Sequence, residues 1–238
     1  MPLSMSGRPA SARSWRELAE RVNELGFLPL FRNEVRGFSA EELTWGQPWW
    51  SGDPEEDPWY WRESIARSGA VAYGKFFAGK AGFLSLDWLP VFANWRRDGY
   101  DFDARWEDGL ASHRAKKLMD CFQIRPEWTG AQLREQAGFG QGGEKNFEGT
   151  VTQLQMQTYL VIRDFRQKVG RTGRSYGLPV SVYAPPEEIW GYDRVTSAYR
   201  EAPEDSAGRI RERVSARFPW TTAAQVERAL GRTPGQKR

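Results

Sequence analysis

The sequence predicts a mainly α fold with a small β part: a winged helix-turn-helix, an α-rich region before it and a helical tail after it. Three observations carry this reading. Between residues 111 and 156, three successive segments place apolar residues three and four apart, the spacing of one helix face. The period then breaks at 158–165, which is dense in β-branched and aromatic residues, as strands are. A Gly-rich basic loop, 169–177, leads from there to a second short strand, 178–183, which Pro185 and Pro186 end.

Taken in order, residues 1–14 carry Arg8 and Arg13 among Ser, Pro and Ala without an apolar run, and are expected to be a disordered lead-in. Residues 15–110 read as a Trp-rich, α-rich region. Trp15, Leu18, Val22 and Leu25 mark a helix that Ser14 can cap and Gly26 can stop. Gly37, Gly46, Pro48, Gly52 and Pro54 make 27–58 loop-rich, after which a short helix at 59–67, an extended segment at 68–75 and a helix at 86–97 are expected.

The winged helix is placed at 111–184. Ala111, Ala115, Leu118 and Phe122 share the face of its first helix, and Thr129 and Gln132 form a capping box before the second, which turns Leu133 and Ala137 inward. Four glycines between 138 and 143 make a turn. The third helix is expected from near Glu144, with Phe147, Val151 and Leu154 buried and Lys145, Gly149, Thr152, Gln153 and Met156 outward. The extension 185–238 adds two helices, one marked by Ile210 and Val214 among Arg209, Arg211, Arg213 and Arg217, the other by Val226 and Leu230.

Composition narrows the function. With one cysteine, Cys121, and one histidine, His113, the chain has no internal disulfide, thiolate zinc cage or His-rich metal site, so no metal or cofactor is expected. No stretch approaches the roughly 20 apolar residues that cross a bilayer, and the cytoplasm is the expected compartment. The net charge of +3 is modest, but Arg163, Arg166, Lys168, Arg171 and Arg174 crowd the segment 160–177 against the single acid Asp164. Placed charge of this kind is the footprint of a nucleic-acid partner.

A helix-turn-helix sets its second helix in the major groove while a basic wing follows the backbone or minor groove. Thr152 and Gln153 have the donors and acceptors that base edges require, and Lys145 can neutralise a phosphate. Gly149 costs a helix about 1 kcal/mol against Ala, which signals close approach by something. Twelve tryptophans are the second anomaly, five of them between Trp45 and Trp61. Trp49, Trp50 and Trp59 are candidates to stack on an unpaired base, with Asp53, Glu55, Glu56 or Asp57 near a cationic leaving base. The simpler reading is that they fill the core of a domain poor in long aliphatic runs. A module for a non-DNA aromatic ligand or a protein partner is the third reading.

Residues 83–92, followed by Trp95-Arg96-Arg97 and preceded by Tyr73-Gly74-Lys75, make the chain from Val22 to Trp190 similar to winged-helix DNA glycosylases of the AlkZ/YcaQ type, and more so to their smaller AlkZ-related members. The resemblance implies double-stranded DNA, damaged or intact, as partner, a nucleoid location when bound, and DNA repair by excision of alkylated or crosslinked bases. That family excises bases with an early Gln-x-Gln or Gln-x-Asp motif. The corresponding stretch here, 25–31, holds neither Gln nor Asp. The remaining catalytic candidates are Gln155 and Gln157, at the end of the third helix. Oligomeric state leaves no mark in the sequence.

Overall fold

The computed structural model describes residues 10–169 and 173–232, so Arg171 and most of the expected lead-in lie outside the described residues. The fold is mainly α with two small antiparallel sheets. Helix α1 (Trp15–Leu25) forms as its spacing requires. Leu18, Ala19 and Val22 are buried, the Ser14 hydroxyl accepts the Glu17 N–H, and Gly26 turns out at φ 99°.

The next segment differs from the sequence reading. Strands β1 (Phe27–Pro29), β2 (Val71–Phe77) and β3 (Lys80–Ser85) form a sheet in the order β1-β3-β2; β2 falls on the expected extended segment, while β1 and β3 are not expected from the sequence. Most residues of these strands are buried on both faces, which erases the two-residue alternation by which a strand is recognised. The β2–β3 turn is Ala78-Gly79, both at positive φ as tight hairpins favour. In β3, a Cβ on Gly82 would lie 2.4 Å from the Phe77 ring and 2.7 Å from the Leu28 carbonyl oxygen, so only glycine fits. Around this sheet lie α2 (Ala40–Leu43), α3 (Pro58–Ser68), α4 (Leu89–Arg97) and α5 (Phe102–Glu107).

The central segment runs α6 (His113–Asp120), β4 (Trp128–Thr129), α7 (Gly130–Gln136), α8 (Phe147–Met156), β5 (Val161–Val169) and β6 (Ser175–Ala184), with sheet order β4-β6-β5. The Thr129–Gln132 capping box is present at the start of α7. Helix α8 begins at Phe147 and not near Glu144, because Asn146 sits in the left-handed region at φ 65°. Glu144 is instead held to α6 by Lys117 at 3.0 Å and Arg114 at 3.1 Å. β5 likewise begins at Val161, after Thr158 takes φ 61°.

Helices α9 (Pro186–Trp190), α10 (Tyr192–Val195), α11 (Pro203–Arg217) and α12 (Ala223–Leu230) return to the first hundred residues. α11 lies on α4 and α12 reaches β2. Two adjacent buried arginines fasten this return. The Arg96 guanidinium donates to the carbonyls of Leu230 (2.6 Å) and Gly231 (2.9 Å), closing the open end of α12. Its burial pulls its pKa down to about 9. Arg97 donates to the Thr158 carbonyl (2.8 Å), the Tyr199 hydroxyl (3.2 Å) and the Glu187 carboxylate. Burial opposes that charge, but Glu187 and Tyr199 outweigh it and raise the Arg97 pKa.

Candidate nucleic-acid interface

The sequence reads α8 as a recognition helix with one covered face, and the structure covers two. Phe147, Thr150, Val151, Leu154 and Gln155 are buried. In addition, the β2–β3 hairpin lies along the C-terminal half. The Lys75 N–H donates to Gln155 Oε1 at 3.1 Å and Lys75 Nζ reaches Thr152 Oγ1 at 3.3 Å. A Cβ on Gly79 would be 3.5 Å from Thr152 Cγ2 and 3.8 Å from Met156 Sδ. Thr152 and Met156, expected outward, therefore face a neighbour. Lys145, just before the helix, and Glu148 and Gly149, in its first turn, remain exposed, and Gln153 is half-buried. Glu148 is paired with Arg134 at 3.0 Å.

The close approach signalled by Gly149 is internal. A Cβ there would meet Asn146 Oδ1 at 2.4 Å, so the glycine makes room for the side chain that precedes the helix.

The β5–β6 hairpin changes character along its length. At its base, Phe165 and residues 182–184 are buried. Arg163 donates to the Arg67 carbonyl at 3.3 Å, and Arg166 pairs with Glu127. Towards the tip, Lys168 and Arg174 are exposed, and neither has a hydrogen-bond or ion-pair partner among the described residues. Tyr176 and Leu178 stand beside them, 58% and 68% exposed. Sequence reasoning finds the charge here and misses these two apolar neighbours, whose signal is an apolar residue on either side of Gly177.

The tryptophans divide. Trp61 is fully buried and its Nε1 donates to the Glu55 carbonyl at 2.8 Å. Trp49 is half-buried, its Nε1 on Thr44 Oγ1 at 3.0 Å, and Trp59 is half-buried under the Arg62 guanidinium, 3.8 Å from its ring. Trp50 is 62% exposed, with its ring 4.4 Å from that of Trp59 and 6.4 Å from that of Phe31. Of the nearby acids, Asp57 is buried as the cap of α3, accepting from the N–H groups of Gly52 and Trp59. Asp53, Glu55 and Glu56 are exposed.

Below this cluster lies a groove of about 420 Å³ lined by Pro29, Phe31, Arg32, Asn33, Glu34, Phe77, Ala78, Lys80, Ala81, Arg228 and Ala229. Pro29 and Phe31 belong to the 25–31 stretch. Asn33 is spent on its own turn, donating to the Phe38 carbonyl at 2.6 Å and accepting from the Val35 N–H at 2.9 Å. Gln155 and Gln157 are buried and do not line the groove.

Between α3 and β5, the Arg62 guanidinium sits over the Trp59 and Phe165 rings and next to Glu63. Burial raises the Glu63 pKa and pushes that of Tyr73 up to about 12. These are neutral-favouring, packed surroundings.

Two small sheets inside a helical shell, a cationic hairpin tip and a groove with an aromatic rim thus define a mainly α protein with two exposed cationic surfaces. The family model described as AlkZ related matches residues 12–231, and the chain belongs to that family. Among curated proteins and solved structures no match to the chain is found. No helix of the described residues is long and apolar enough to cross a membrane.

Proposed function

We propose that residues 111–184 are a winged helix that binds double-stranded DNA in the cytoplasm, on the nucleoid. The observation that carries the reading is the pair of unpartnered cations, Lys168 and Arg174, on the exposed end of a hairpin whose base is buried. A hairpin that only closed a core would not extend past it. The order helix, strand, helix, helix, strand, strand with sheet order β4-β6-β5 supports the same reading, as does membership of a family named for a DNA glycosylase.

In this reading Lys145, Lys168, Arg171 and Arg174 meet phosphates and Gln153 meets a base edge beside Gly149 at the first turn of α8. Thr152, Arg163 and Arg166 have protein partners and contribute by holding the helix and the hairpin base in place. The protein binds without releasing bases, because excision needs a carboxylate or amide placed to position water or stabilise an electron-poor sugar. The 25–31 stretch offers Pro29 and Phe31 to the groove, and Gln155 is engaged by Lys75.

Titration of a labelled duplex at several salt concentrations tests this. Arg171→Ala and Arg174→Ala should each lower the slope of log affinity on log salt by about 0.9 for every phosphate the variant no longer neutralises. Unchanged slope and affinity would take the wing out of the interface. Incubation with methylated or crosslinked duplex should leave no abasic sites. Base release abolished by Gln155→Ala or Gln157→Ala would move the active site to the end of α8 and make the protein a glycosylase.

A further inference from the structure

The groove below the tryptophans is not absorbed by the winged-helix reading. Three cations, Arg32, Lys80 and Arg228, line it against one carboxylate, Glu34. Glu34 is paired with Arg228 at 3.1 Å, and Arg32 is held loosely by Glu41 at 3.5 Å. Lys80 is exposed and has no ion-pair partner among the described residues. The groove therefore presents uncompensated positive charge.

Phe31 joins this charge to the aromatic cluster, since it lines the groove and its ring lies within 6.4 Å of those of Trp50 and Trp59. Trp50 is unusual in two independent respects. It leaves 62% of its surface in water, and it holds φ 67°, a region that a bulky side chain enters only at a cost. Gly46 and Gly52, on either side, take positive φ as turn residues should. Folding alone would place a glycine or asparagine at position 50. The large ring is instead held against Trp59, 4.4 Å away between centroids, with most of its surface left in water.

We infer that the groove and Trp50 together bind an unpaired nucleotide within a single strand, its phosphate on Lys80 and Arg32 and its base on the Trp50 face. Phosphate charge matches the groove, and base stacking is the sequence-tolerant use of an exposed indole beside a cationic track. A volume of about 420 Å³ accommodates one nucleotide and not a duplex. The site is lined from β1, the β2–β3 turn and α12, and no residue of the β5–β6 hairpin lines it. It rests on the DNA-acting reading only for the choice of nucleic acid.

The test uses the full chain, a labelled oligothymidine, the same-length duplex, thymidine monophosphate and inorganic phosphate. Trp50→Ala should weaken oligothymidine binding at least about fivefold, and Lys80→Ala should lower its salt slope by about 0.7. Both positions are exposed, and thermal melts should confirm that both variants fold. Neither should change duplex affinity, whereas Arg174→Ala should. The monophosphate and phosphate should compete only weakly, which separates a strand site from a free-nucleotide site. Oligothymidine affinity unchanged in both variants, lost with Arg174→Ala alone, or displaced by monophosphate at equal concentration would each overturn the inference. Strand binding that follows Trp50 and Lys80 while duplex binding is absent would uphold it and bring down the winged-helix reading instead.

Discussion

The two β-hairpins of this protein lie beside each other and have opposite fates. β2–β3 is buried along nearly its whole length, with Phe76, Phe77, Phe83 and Leu84 at 1% exposure or less. β5–β6 is buried only at its base, and the first four residues of β6 are exposed. In the first, the backbone ladder is a means of packing side chains on both faces. In the second, the ladder continues after packing has ended, and what it carries outward is charge and two apolar side chains. The contrast separates residues held by the fold from residues available to a partner.

The sharpest way to break this contrast is to delete one large side chain from each hairpin. Phe83→Ala should cost about 3–5 kcal/mol, while Leu178→Ala should stay within about 0.5 kcal/mol of the parent. Denaturant melts on both variants decide, and equal losses would mean that the β5–β6 tip is packed. A smaller effect sharpens the border between the hairpins. Gln155→Ala removes the buried acceptor of the Lys75 N–H and should cost about 1–3 kcal/mol. A variant as stable as the parent would show that this hydrogen bond contributes nothing to the fold.

The smallest effect concerns pH. Hydrogen bonds from Lys117 and Arg114 hold the Glu144 carboxyl below the usual carboxylate range. A depressed folded pKa adds stability above the unfolded value, about 4.3, and loses it as pH falls through the folded value. Glu144→Gln should therefore flatten the acid limb of the Tm profile and change it least at the most acid end. A parallel downward offset at every pH would contradict the assignment.

Much of the fold is legible in the sequence where local chemistry decides. The Ser14 hydroxyl and the Thr129–Gln132 box begin helices through their side chains, Gly26 ends one through its positive φ, and the Phe147, Val151, Leu154 stripe marks the buried face of α8. Strands β1 and β3 are not legible because short runs of mostly buried residues leave no alternation. The second cover of α8 is not legible either. Helical spacing reports how many faces are apolar, and not that Thr152 and Gln155 will meet Lys75, 77 and 80 residues earlier, through polar atoms. At the candidate site the cations of the wing can be read directly. The groove cannot, because Phe31, Lys80 and Arg228 come together only when the last helix returns to the first sheet.

Arg97 gives that return a consequence in time. Its partners lie 61 residues ahead at Thr158, 90 at Glu187 and 102 at Tyr199. A chain made from its N-terminus exposes α4 long before any of them exists. Until Tyr199 has left the ribosome, the hydrogen-bond set of the guanidinium is incomplete, so this helix completes its surroundings only about a hundred residues after it is made.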